Sequence, residues 1–187
     1  GSFPIEYTKD ELDLIRQNSD LVLTDAEWGR WTGYPKFYKD QDWNEMLIGN
    51  GNMQNYNVNI SGGGERYSYM LSLGHQREEG IPKYGEDINK RYFVRAKSSV
   101  EIFKNLTYYL NLAYEASNRD YSSGLTEGQN IWELIYKTRS WTPMYNPSGT
   151  FYTFEGFDNP AQVLEEGGMV NKTTGNVTVN NQLKWNI

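Results

Sequence analysis

Residues Met53-Gln54-Asn55-Tyr56-Asn57-Val58-Asn59-Ile60, then Ser61-Gly62-Gly63-Gly64-Glu65, then Tyr67-Ser68-Tyr69-Met70-Leu71-Ser72-Leu73-Gly74, decide the fold class. In the first run Tyr56, Val58 and Ile60 alternate with Asn55, Asn57 and Asn59, the period of a strand with two unlike faces. The last run repeats the pattern, setting Tyr67, Tyr69, Leu71 and Leu73 against Ser68, Met70, Ser72 and Gly74. The glycine-rich segment Ser61 to Glu65 reads as a tight turn, because glycine supplies the positive φ that hairpins need. A β-hairpin follows.

The alternation continues outward. After a polar connection from His75 to Asp87, a third strand places Tyr92, Val94 and Ala96 against Arg91, Phe93, Arg95 and Lys97. A turn at Phe103-Lys104-Asn105 leads to a fourth, with Tyr108, Leu110, Leu112 and Tyr114 against Tyr109, Asn111, Ala113 and Glu115. A fifth, Asn176 to Ile187, carries Val177, Val179, Leu183 and Trp185 on one face. The spacing predicts a mainly β chain, an antiparallel meander of about five strands with short helices in long loops.

Four segments are expected. Residues 1–52 form an aromatic, partly helical loop, with Thr8 and Glu11 at capping-box spacing ahead of a helix from Lys9 to Gln17 and a further helical turn from Trp43 to Ile48. Residues 53–116 hold four strands, and 117–174 a long loop with helical character from Ile131 to Arg139. Residues 175–187 begin the fifth strand, within which the sequence stops. Gly1-Ser2 has the look of a protease-cleavage scar, consistent with a piece cut from something longer.

Composition narrows the function classes. The chain has 187 residues, of which only 37% are hydrophobic, and 15 Tyr with 6 Trp make it unusually aromatic. A mean hydropathy of -0.76 calls either for a thin core or for half of each element to face water. The net charge is -6 and the basic residues are scattered, which argues against a nucleic-acid partner. There is no cysteine and one histidine, His75, so thiolate metal sites, cysteine nucleophiles and histidine triads have nothing to be built from. No enzyme activity and no cofactor are implied. No apolar run approaches the ~20 residues of a membrane-spanning helix.

Alternation alone fits either a soluble β-domain, such as a carbohydrate-binding module, or a membrane barrel. The tyrosines near strand ends, with aliphatics between them as in Tyr108-Leu110-Leu112-Tyr114, fit aromatic girdles around a hydrocarbon band. Asn55, Asn57, Asn59, Arg95 and Lys97 on the opposite faces would be costly to bury in a dry sandwich core. The connections run long, short, long, short, very long, the parity of outer loops and periplasmic turns. The first strand would then descend towards the periplasm.

Motifs across Asp42 to Ile187 add a family. Asp42-Trp43-Asn44-Glu45, the Gln54 to Gly63 strand and turn, and Tyr67 to Gly74 with Glu79-Gly80-Ile81 resemble the start of the barrel in SusC/RagA-type TonB-dependent transporters. Arg91-Tyr92-Phe93-Val94-Arg95, Trp141-Thr142-Pro143-Met144-Tyr145, Asn146-Pro147-Ser148-Gly149 and Asn159-Pro160 follow in the family's order. The resemblance implies part of an outer-membrane importer of oligosaccharides or peptides, partnered by a SusD-like surface lipoprotein and the TonB complex, with membrane lipid around the barrel. It covers no plug and no TonB-contact segment. Strands taken out of a closed barrel would have unpaired edges, so the chain by itself is expected to self-associate.

Few residues invite a chemical role. Asp40-Gln41-Asp42-Trp43-Asn44 opens like a calcium loop, but Glu45 stands where that loop needs glycine and Gly51 where it needs glutamate, so a solvated acidic turn is expected and no metal. Glu78 and Glu79 point to opposite faces, unlike a glycosidase pair, and are read as loop charges. The Asn-x-Ser/Thr sequences at Asn59, Asn105, Asn171 and Asn176 are read as composition, and His75 as an exposed rim residue. Trp28, Trp31, Tyr34, Trp132, Trp141 and Tyr145 are the candidate ligand or partner contacts, since flat aromatic faces suit sugars and protein anchors. The same residues could equally form the small cores of the loops.

Overall fold

The computed structural model describes residues 8–17, 26–27, 29–31, 41–125, 131–140, 142–153 and 158–186. Five strands form one antiparallel sheet in sequence order: β1 (Asn52–Gly64), β2 (Tyr67–Glu79), β3 (Asp87–Phe103), β4 (Leu106–Ser122) and β5 (Met169–Trp185). Two-residue turns, Glu65-Arg66 and Lys104-Asn105, close the first and third connections. The chain divides into two compact units, the sheet and a second unit built from residues 1–49, 82–86 and 122–168.

Register explains why the alternation was readable. Directly opposed residues share a face, and four rows can be followed across β1 to β4: Tyr56, His75, Tyr92, Ala116; Val58, Leu73, Val94, Tyr114; Ile60, Leu71, Ala96, Leu112; Gly64, Tyr67, Val100, Tyr108. Every residue of the apolar faces expected on β1 to β4 falls on this side. The other side carries Asn57, Gly74, Phe93, Glu115 and Asn59, Ser72, Arg95, Ala113. On β5, the Tyr108 hydroxyl donates to Asn181 Oδ1 at 2.6 Å and the Asn186 N–H to the Asn105 carbonyl at 2.9 Å.

The glycine turn is a correction. Gly62, Gly63 and Gly64 are paired within β1, opposite Tyr69, Ser68 and Tyr67, and none has positive φ. Cross-strand rings demand them instead. A Cβ on Gly62 would lie 2.5 Å from the Tyr69 hydroxyl oxygen, and one on Gly64 2.9 Å from the Tyr67 ring. Tyrosine covering glycine keeps the apolar face continuous where β1 has no side chain of its own.

The strands also run further than expected. β4 continues through Ser117 to Ser122, where alternation is lost because both faces turn polar. The ladder with β3 persists there, supported by Ser117 donating to Asn89 at 3.0 Å and by the paired hydrogen bonds from Arg119 to Asp87 at 2.9 and 3.0 Å. β5 begins at Met169 for the same reason, with Asn171 and Thr173 bonded to Asn118. His75 is less exposed than expected: it is half-buried in β2 with Tyr56 stacked at 6.2 Å and Tyr92 tilted at 4.8 Å between ring centroids. Glu78 and Glu79 lie in β2 rather than in a loop, and Glu79 pairs with Arg77 at 2.8 Å.

In the second unit, α1 (Lys9–Arg16) starts at the expected box, with the Thr8 N–H donating to Glu11 at 2.7 Å. The Asp42 carboxylate, expected in a solvated acidic turn, caps α2 (Trp43–Leu47) by accepting the Asn44 and Glu45 N–H groups. Helix α3 (Ile131–Lys137) falls within the expected segment, whereas α4 (Pro160–Glu166) was not foreseen. The core of this unit is Trp43, Leu47, Ile131, Ile135, Met144, Ala161 and Leu164. Buried Asn159 organises it, donating to the Met144 and Tyr152 carbonyls at 2.8 and 3.0 Å and accepting the Ala161 N–H at 3.1 Å. One side chain thus caps α4 and closes the loop before it.

Candidate functional site

The hairpin-like loop Met144 to Tyr152 builds the aromatic part of the second unit. Tyr145 and Phe151 bridge across the turn Asn146-Pro147-Ser148-Gly149, where Gly149 takes φ 84°, a conformation glycine adopts without strain. The Asn146 side chain braces the turn, donating to the Phe151 carbonyl at 2.9 Å and accepting the Trp31 N–H at 3.2 Å. The Trp31 indole N–H donates to the Tyr145 carbonyl at 3.0 Å. Two distant parts of the chain are thereby pinned together.

A third part arrives through Tyr84, in the connection between β2 and β3. Its hydroxyl lies 2.9 Å from that of Tyr145, and Phe151 stacks on Tyr145 at 5.2 Å and meets Tyr84 edge-on at 6.3 Å. The neighbouring Gly85, at φ 71°, leaves its N–H free to donate to Glu165 at 2.8 Å. The hydrogen bond to Tyr84, then burial and the Glu165 charge, push the Tyr145 phenol up to about 12. Tyr145 is therefore a neutral hydrogen-bonding ring, still 41% exposed.

Of the six candidate contacts, the structure brings Trp31 and Tyr145 together. Trp132 lies on α3, exposed, with Ile131 and Ile135 buried beside it. Trp28, Tyr34 and Trp141 lie outside the described residues. Tyr84 and Phe151 were missed, since neither stands in a tryptophan-rich stretch and only the tertiary fold joins them to Tyr145. Among the described residues, no group of three or more His, Asp or Glu side chains could hold a metal. The patch can stack on and hydrogen-bond a partner.

No family model matches the chain. It is 29% identical over 124 residues to TonB-dependent receptor P26 of Formosa agariphila, a match covering 66% of this chain and 11% of that protein. The chain thus spans about a tenth of the length of this curated relative. In structure it is similar to a chain of the RagAB peptide importer in its closed-closed state, with a TM-score of 0.59 and 19% identity over 82% of this chain and 18% of that one. The five-strand meander and these two similarities make the chain similar to a barrel segment of TonB-dependent transporters of the SusC/RagA type.

Proposed function

We propose that the chain supplies five wall strands and outer loops to an outer-membrane nutrient importer that takes up glycans, works with a SusD-like surface lipoprotein and is energised through the TonB complex. The carrying observation is the apolar face. From the Tyr56 row to the Gly64 row it is nine residues deep along β1, at the lower end of the ~9–11 residues that a tilted strand needs to cross hydrocarbon. Tyrosines flank aliphatic rows at both margins, as lipid-facing girdles do. The loop unit, with Trp31, Tyr145 and Trp132, supplies aromatic faces for the glycan and the lipoprotein.

Cysteine labelling of the whole transporter in its membrane tests this, and the cysteine-free background of this chain keeps its own contribution silent. A cysteine at Val58 or Leu112 should resist a water-soluble maleimide while one at Asn57 reacts. Free labelling of Val58 would refute the barrel wall. The chain in isolation leaves one edge each of β1 and β5 unpaired in the described sheet, and self-association in detergent-free buffer follows. A compact monomer by sedimentation would favour a soluble carbohydrate-binding domain instead.

A further inference from the structure

Helix α3 carries an arrangement that packing does not explain. Ile131 and Ile135 hold it to the core, yet Trp132 and Tyr136, one turn apart on an adjoining face, are 47% and 85% exposed. Exposing so much ring costs burial energy that a polar residue would not forgo. Beside Tyr136 lies a cleft of about 270 Å³, lined also by Gln41, Asp42, Asn44, Thr138 and Ser140. The space is just under the ~300 Å³ at which pockets for drug-sized ligands begin, room for one ring rather than a chain.

The cleft is rich in unspent hydrogen-bonding groups. Gln41 uses its amide N–H on the Thr142 carbonyl at 3.3 Å, and its side-chain oxygen accepts no hydrogen bond among the described residues. Asp42 caps α2 through Oδ1 alone, and the Asn44 amide, the Ser140 hydroxyl and the Tyr136 hydroxyl make no side-chain bond within the described residues. A ring face bordered by amide, carboxylate and hydroxyl groups matches a pyranose, with an apolar C–H face and a rim of hydroxyls. Asp42 and the nearby Glu45 disfavour an anionic ligand.

We propose that Tyr136, with Gln41, Asp42, Asn44 and Ser140, forms a subsite for one neutral pyranose unit, its C–H face on the Tyr136 ring and its hydroxyls on the polar wall. Trp132, one turn of ~5.4 Å along α3, offers a second face to the adjacent sugar. The subsite rests on the glycan reading above and deepens it.

The test is binding of fluorescent malto-, cello- and laminari-oligosaccharides, and of a peptide pool, to the whole transporter in outer-membrane vesicles. Tyr136→Ala should weaken the best oligosaccharide by roughly tenfold, the loss expected for an aromatic contact, while Tyr136→Phe keeps the ring and stays near wild type. Asn44→Ala should weaken it less. Because the ring is almost fully exposed, folding should survive, and unchanged protease resistance of the loops checks this. Oligosaccharide binding that ignores Tyr136→Ala overturns the subsite and leaves the glycan reading standing. Binding of the peptide pool alone overturns both.

Discussion

Asn159 holds Met144 in place: its side-chain N–H donates to the Met144 carbonyl at 2.8 Å from a site only 1% exposed. The same amide satisfies the Tyr152 carbonyl and caps α4. Asn159→Ala would take a hydrogen bond from each of the two carbonyls and strand the Ala161 N–H in the core, while the Met144 carbonyl keeps the Tyr152 N–H at 3.0 Å. Each stranded group costs about 1–3 kcal/mol, though relaxation and water will recover part of the sum. A loss of about 3 kcal/mol is expected, read as a lower urea midpoint for the loop tryptophan fluorescence. Asn159→Asp keeps the cap acceptor but sets a buried carboxylate oxygen against the two carbonyl oxygens, and should cost at least as much.

The sheet has an equally local constraint on its polar side. Gly74 in β2 is paired with Phe93 in β3, and the Phe93 ring occupies the place where a Gly74 side chain would stand. Gly74→Ala should cost about 1–3 kcal/mol by overpacking. In a Phe93→Ala background the same change should cost almost nothing, so the double-mutant cycle gives a coupling of similar size. Additive costs would show that the ring simply swings away.

The faces of the sheet were legible because directly paired residues share a side: Val58, Leu73, Val94 and Tyr114 were each assigned from their own strand, and the register aligns them. Strand ends were not legible. Past Glu115 and before Asn176 both faces are polar, so the periodic signal disappears while backbone pairing continues. Gly62 and Gly64 misled because glycine's usual role in turns hid a second one, making room for Tyr69 and Tyr67. At the aromatic patch, Trp31 and Tyr145 were visible as residue types, but Tyr84 joins them through contacts between residues far apart in sequence. Asp42 illustrates the converse: a ligand-like carboxylate is occupied with capping a helix.

Neighbouring residues on opposite faces give the sharpest test of the barrel reading. Val58 belongs to the row with Leu73 and Val94, whereas Asn57 lies opposite Gly74 on the polar side. In the whole transporter folded into lipid vesicles, Val58→Lys should destabilise by ~2–4 kcal/mol, the cost of a cation near the bilayer midplane. Asn57→Lys should be nearly neutral. Equal costs at the two positions would contradict a lipid-facing belt.

The Tyr84–Tyr145 pair makes a pH prediction in the loop unit. Tyr145 is pushed up to about 12 by the hydrogen bond to Tyr84, by burial and by Glu165, above the ~10 of an unfolded tyrosine. Folding therefore favours the protonated phenol, and linkage fixes the sign. The stabilisation is complete below the unfolded value, declines as pH rises beyond it and is gone above the folded value. A tyrosinate absorbance titration of the 15 tyrosines should accordingly contain a late-titrating phenol. Tyr145→Phe should delete that late component. Tyr84→Phe, which leaves no hydroxyl to accept the Tyr145 proton, should move it towards ordinary values and reduce the loss of stability between the two. A titration unchanged by Tyr145→Phe would mean that the hydroxyl pair does not persist in solution.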